Sequence, residues 1–372
     1  MWGKLSEKEP FSQYQLDLYA AAIMGGKKPI TTTDPNKLEQ EARKAMSPDS
    51  FNYVFGGAGD HASQLPSLQH LFTPDTPLLI APIGVQPAYH ADAETGVASA
   101  CASLGVPFVY STASSTGLEA VAAAADAAAP ATAKAPRWFQ LYWPLDEEIT
   151  ASLLGRARAA GCEALVVTLD GNALGFGDAV FRRKFAEKFD GDAVEDNVMV
   201  ASRFWTGEVF SGHAHCWEDL ATLRRLWGDG PIILKGVLSI DDALLAVRSG
   251  VDGIIVSNHG GRQLDGAVLS LEMLPEIVEA VGDKPAVLFD SGIRTGADVL
   301  KALALGAKAV LVGRPVIYGL GIAGREGARH VLAGLLADVD QSMGLAGVQT
   351  VGELNRSMLR RINYGGDIKS SL

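Results

Sequence analysis

Eight short, near-continuously apolar runs recur along the chain: LLIAPIGV from Leu78, PFVYST from Pro107, RWFQLYW from Arg137, ALVVTLD from Ala164, PIILKGV from Pro231, GIIVSNH from Gly253, AVLFDSG from Ala286 and AVLVGR from Ala309. A strand with one wet face alternates apolar and polar residues, whereas a strand buried on both faces of a parallel sheet does not. Between most of these runs lies a segment of helical spacing, such as SIDDALLAVRSG or TGADVLKALALG, that opens on a Ser or Thr cap and closes at Gly. Strands and helices alternating in this number predict an α/β fold, a TIM (β/α)8 barrel.

The rhythm breaks once, between the fourth and fifth runs, where the polar stretch EKFDGDAVEDN predicts a long exposed loop placed to act as a lid. Residues 1–75 precede the barrel; DPNKLEQEARKAM, capped by Asp34, predicts a helix, and the segment is expected to pack on the barrel as a helical cap. The barrel is then expected over 76–330 and further helices of the same domain over 331–372, with GREGARHVLAGLLADVDQSMGLAG covering one barrel end. The Ala-rich LEAVAAAADAAAPATAKAP reads as a surface helix and linker without chemistry. GLGIAG has the glycine spacing of a dinucleotide-binding turn, but Pro315 separates it from the preceding strand, so nicotinamide binding there is not expected.

Composition narrows the partners. The 372 residues are 48% hydrophobic and 20% charged, ordinary globular material. A net charge of −11 argues against nucleic acid or an anionic membrane as partner, because both need an excess of Lys and Arg. Any bound anion must therefore be met by local groups. Cys101, Cys162 and Cys216 stand apart with no CxxC pair, so neither a disulfide framework nor a metal site is expected. The opening MWGKLSEKEPFSQYQ lacks the apolar stretch of a signal peptide, and no run approaches the ~20 apolar residues of a membrane span. A cytoplasmic protein is expected; the terminal KSSL is a weak match to a peroxisomal address, which keeps that compartment as the alternative.

Active sites of such barrels form at the C-terminal ends of the strands. Nearly every run supplies a polar or special residue there: Pro82 and Gly84, Ser111, Gln140 with Tyr142, Thr168 with Asp170, Lys235, Ser257 with His259 and Arg262, Asp290 with Arg294, and Gly313 with Arg314. The last two runs end in DSGIRTGADV and VGRP, each a Gly-rich turn carrying an arginine towards a helix, which is a phosphate-binding arrangement. His259 can take a proton near neutral pH, Arg262 can hold an anion, and Asp170 can orient the imidazole and stabilise its cation. The residues alone leave another class open, a flavin-free sugar-phosphate lyase or isomerase using Lys235 as a Schiff-base amine.

With QLYWP, LKGV, SNHGGRQLDG, DSGIRTGADVLKALALGA and GRP in this order, the chain resembles the FMN-dependent α-hydroxy acid oxidase and dehydrogenase family, which includes glycolate and lactate oxidases. YVFGGAGD and QLYWP bring it nearest the lactate 2-monooxygenase branch. The resemblance implies FMN as cofactor, a small-molecule carboxylate substrate, oxygen or another electron acceptor, and a homotetramer. It places Pro82, Ile83 and Gly84 against the reactive nitrogen N5 of the flavin, and Ser111, Gln140, Thr168 and Ser257 on the flavin ring. Lys235 falls where negative charge develops on flavin reduction. Asp290, Ser291, Gly292, Arg294, Gly313 and Arg314 fall on the ribityl chain and phosphate. His259 takes the position of the base, supported by Asp170 and Tyr142, while Tyr53, Tyr142 and Arg262 face the substrate.

One departure stands out. The segment after the fourth run, TLDGNALGFGDAVFRRKF, lacks the family's late carboxylate-binding arginine, with Arg182 and Arg183 aligning beyond the gap. Losing one of two arginines on a buried carboxylate costs on the order of 2–5 kcal/mol unless replaced. Ala113 stands where some members place a bulky aromatic. Both features point to a substrate other than lactate or glycolate, with an ordinary 2-hydroxy acid oxidase or monooxygenase as the alternative.

Overall fold

The structure, a computed structural model, describes residues 11–55, 76–131, 135–170, 205, 207–209 and 215–360. The loop containing EKFDGDAVEDN, Arg182 and Arg183, the stretch GGAGD and the C-terminal KSSL lie outside the described residues.

Eight parallel strands close into a barrel in sequence order: β1 (Leu78–Ile80), β2 (Phe108–Ser111), β3 (Arg137–Leu141), β4 (Leu165–Thr168), β5 (Ile232–Val237), β6 (Gly253–Val256), β7 (Ala286–Phe289) and β8 (Ala309–Val312). Each lies inside one of the eight apolar runs. The helices α4 (Ala93–Leu104), α5 (Leu118–Ala128), α6 (Glu147–Ala159), α7 (Leu220–Trp227), α8 (Ile240–Arg248), α9 (Ser270–Val281) and α10 (Gly296–Ala304) connect successive strands, and α11 (Arg314–Ala346) follows β8. Before the barrel come α1 (Phe11–Gly25), α2 (Pro35–Ala45) and α3 (Pro48–Phe55); α1 and α2 pack on α11.

The strands are apolar on both faces because both faces are buried. Leu79, Val109, Val166, Ile233, Ile255, Leu288 and Leu311 fill the barrel interior, while their neighbours, such as Leu78, Ile80, Phe108 and Tyr110, pack against the helices. Side chains two positions apart share a face. Two residues beyond those interior positions come Ala81, Ser111, Thr168, Lys235, Ser257, Asp290 and Gly313, and Gln140 lies two beyond Trp138. The period-two geometry thus turns an apolar barrel floor into a polar ring one layer higher, at the strands' C-terminal ends.

The helix starts obey local chemistry. Asp34 accepts from Asn36 N, Ser239 from Asp242 N, and Thr295 exchanges bonds with Asp298 in a capping box, each satisfying amides that have no helical partner and stabilising by about 1 kcal/mol. The helix expected to begin at GREGARHV instead begins at Arg314 and bends at Ala323 and Gly324. Gly319 and Gly327 account for the tight bend: a Cβ on Gly319 would lie 2.5 Å from Gly327 O. The glycines of GLGIAG serve this helix corner. Among the described residues no helix is long and apolar enough to cross a membrane, and no group of three or more His, Cys, Asp or Glu could hold a metal ion.

Candidate active site

A cavity with about 1020 Å³ of empty space, part of it open to solvent, sits over the polar ring. Its lining takes residues from both ends of the chain: Tyr53 from α3, the turn Pro82–Ile83–Gly84 after β1, Ser111, Tyr142, Lys235, His259 and Arg262, and the Asp290–Arg294 and Gly313–Arg314 turns. Gln140, Thr168, Ser257 and Asp170 do not line it. Gln140 bonds Ser111 and Thr168, Ser257 bonds Lys235, and Asp170 meets His259.

His259 Nδ1 lies 3.1 Å from Asp170 Oδ1, with Gln263 Nε2 farther off at 3.4 Å. A carboxylate can only accept, so Nδ1 carries the proton and Nε2 keeps its lone pair. Burial pushes the Asp170 carboxyl up, but Lys235 and the His259 hydrogen bond outweigh it and hold its pKa below the usual carboxylate range. Its other oxygen, Oδ2, is buried without a hydrogen bond among the described residues, so a nearby cation stabilises it the more. The approach of Asp170 requires Gly236: a Cβ there would meet its Cγ at 2.8 Å, and the glycine's φ of +105° accompanies the break in register between β5 and β6. His259 itself is left-handed, with φ 57°, and Ser257 Oγ accepts from its amide at 3.0 Å. Such a backbone costs on the order of 1–3 kcal/mol and persists where surroundings hold it.

Lys235 is 3% exposed, its Nζ 3.4 Å from Asp290 Oδ2 and bonded to Ser257 Oγ at 3.0 Å. Burial disfavours its charge, yet Asp290 and Asp170 more than offset that and raise its pKa. Lys235 is therefore a fixed cation. A Schiff-base lysine must be neutral to attack, so this pairing counts against the lyase reading. Beside it, Ser111 Oγ donates to Gln140 Oε1 at 3.1 Å, and Gln140 Nε2 donates to Thr168 Oγ1 at 2.9 Å.

The far end of the cavity gathers positive charge. Arg314 donates to Gly260 O at 2.7 Å, and Arg294 to the neighbouring Ile293 O at 2.8 Å. Arg294 makes no ion pair among the described residues. Burial, reinforced by repulsion from Arg294, lowers the pKa of Arg314 to about 10. Ser291 and Gly292 have φ of 85° and 84°, and α11 opens at Arg314, so amides and a helix N-terminus add to the field. Two arginines held together against their mutual repulsion fit a phosphate. With Lys235 on the lining and the Gly84 turn packed on Ala113, leaving no room for a Gly84 Cβ, the donor set fits FMN.

On the same lining Arg262 Nη1 donates to Tyr53 O at 2.8 Å, and its guanidinium lies over the Tyr53 ring, 5.4 Å from the centroid. Tyr142 is fixed by its amide, which donates to Thr112 Oγ1 at 3.0 Å, and by the next residue, Trp143, stacked on His215 at 3.9 Å. Burial, partly offset by Lys235, pushes the Tyr142 phenol up to about 12, so it is a neutral donor. Sequence reasoning missed Tyr89 and Val85, which also line the cavity. Nothing in QPAYHAD marks Tyr89; only its stacking on Tyr53 brings it to the site.

A family profile described as FMN-dependent dehydrogenase matches residues 73–361. The chain is 46% identical to an FMN-dependent alpha-hydroxy acid dehydrogenase, qulF, of Penicillium citrinum, over 97% of this chain and 99% of the relative. It is 39% identical to 4-hydroxymandelate oxidase of Amycolatopsis orientalis, over 86% and 96% respectively. A crystal structure of mandelate oxidase superposes with a TM-score of 0.71 at 37% identity, covering 88% of this chain and 98% of that one.

Proposed function

This chain belongs to the FMN-dependent dehydrogenase family, and from that premise we propose that it oxidises an α-hydroxy acid carrying a bulky aromatic side group, with His259 as the base. Bound FMN supplies the two-electron acceptor. The observation that carries the reading is the His259–Asp170 contact at 3.1 Å on the same cavity as Arg262. Arg262 takes the substrate carboxylate, and Tyr142 donates to an oxygen at the reacting carbon. His259 Nε2 takes a proton from that end, and Asp170 stabilises the imidazolium that results. Lys235 offers positive charge where the cofactor becomes negative.

The aromatic side group is supported by the walls. Tyr53 and Tyr89 stack at 6.2 Å on the cavity rim, while Ala113 leaves room beside them. The names of the 4-hydroxymandelate and mandelate oxidase relatives agree with this. Lactate is the second reading, supported by 41% identity to an L-lactate oxidase of Lysinibacillus sphaericus over 79% of this chain and 77% of the relative. The test is anaerobic mixing of the flavin-loaded protein with mandelate, lactate and glycolate. Mandelate should bleach the flavin fastest, and a His259→Asn protein should keep its flavin without bleaching. Faster bleaching by lactate would favour the second reading; no bleaching by any α-hydroxy acid would sink both.

A further inference from the structure

Tyr89 closes the 3-10 turn Gln86–Ala88 and is 8% exposed. Its ring stacks on Tyr53 with planes 26° apart, and Val85, Ala113 and Arg262 line the cavity with it. Packing therefore fixes where its hydroxyl sits. That hydroxyl makes no hydrogen bond among the described residues, and it is not among the polar atoms sealed off from all contact. Buried phenols ordinarily find a partner, and a polar group stripped of water without one is costly. A ligand that displaces water from this cavity must offer Tyr89 a replacement.

The function proposed above determines which part of the ligand that is. With the carboxylate on Arg262 and the reacting carbon at His259, what remains to meet Tyr89 is the side group. We infer that the Tyr89 hydroxyl hydrogen-bonds a neutral polar substituent on the substrate's aromatic ring, so that ring-hydroxylated 2-aryl-2-hydroxy acids are the substrate class. The inference rests on the α-hydroxy acid reading of the site. Arg262 and the fully buried Glu94 act on Tyr89 in opposite senses, so a neutral substituent needs no charge partner there. Burial also raises the Tyr89 pKa, keeping it a protonated donor.

The test compares mandelate with its 2-, 3- and 4-hydroxy isomers on the flavin-loaded protein, in the native chain and in Tyr89→Phe. Phe keeps the stack on Tyr53 and removes only the hydroxyl. At least one hydroxylated isomer should exceed mandelate in kcat/KM on the order of 10-fold, and Tyr89→Phe should bring that ratio near one. Dissociation constants of the corresponding 2-oxo acids, read from the flavin absorbance, should show the same ratio and its loss. The inference is overturned if the native protein prefers no hydroxylated isomer, or if its preference survives in Tyr89→Phe. Should no acid bleach the flavin, the functional reading falls on its own, while the 2-oxo acid constants still decide the role of Tyr89.

Discussion

Asp170→Asn isolates the contact that carries the functional reading. Asp170 Oδ1 meets His259 Nδ1 at 3.1 Å, the two side chains being 18% and 16% exposed. A pair of unit charges at about 4 Å in an effective dielectric of 20 interacts by about 4 kcal/mol, the upper limit for what the imidazolium gains. The amide keeps the shape and one hydrogen bond of about 1 kcal/mol, where the charged bond contributes about 1.5–3. The difference, about 0.5–2 kcal/mol at the transition state, predicts flavin reduction slower by about 2-fold to about 30-fold. If the new amide turns its NH2 towards Nδ1, the lone pair moves away from Nε2 and the loss grows towards ~10⁴. The assay is stopped-flow reduction of the flavin by a saturating α-hydroxy acid without oxygen. Flavin retention and the binding of a 2-oxo acid serve as controls for the intact site. A variant that keeps its flavin and is reduced as fast as the native protein would refute the assigned role.

Three further outcomes follow from the ring. Lys235→Met leaves Asp290 as an unpaired buried charge, 5% exposed, and should destabilise the flavin-free protein by about 3–5 kcal/mol in a melt, with Lys235→Met/Asp290→Asn recovering part of the loss. Because Asp170 has a depressed folded pKa, the stability it contributes is present above the unfolded value of about 3.9 and lost as pH falls through the folded one. The melting difference between native and Asp170→Asn proteins should therefore shrink below about pH 4; a difference independent of pH would contradict the assignment. Inorganic phosphate should raise the melting temperature of the flavin-free protein by relieving the Arg294–Arg314 repulsion, and Arg314→Ala should abolish that rise; an equal rise in the variant would place the anion elsewhere.

What the sequence made legible depended on whether the cause was local. The strands could be read because burial on both faces writes itself as apolar runs, and the caps because Asp34, Ser239 and Thr295 act within three residues. The ring of strand ends was readable too, once period-two alternation was carried past each apolar stretch. Tyr89 was not, because its place depends on Tyr53 from a helix before the barrel. The continuation of α11 through GLGIAG was hidden for the same reason: glycines that suggest a loop are explained only by the contact of Gly319 with Gly327.

The charge distribution links these parts. A chain of net charge −11 places Lys235, Arg262, Arg294 and Arg314 around one cavity, so the arrangement is local and runs against the field of the whole molecule. The cations are treated differently. Lys235 is neutralised from behind by Asp290, which makes it a permanent feature of the fold. Arg294 and Arg314 repel each other, so an anion bound beside both would relieve that repulsion. Arg262 is tethered by the Tyr53 carbonyl, which fixes its direction. Lys235 is thus compensated within the fold, while Arg262, Arg294 and Arg314 line the same cavity as His259. Charges compensated to different degrees on one cavity favour different anions before any shape complementarity is considered.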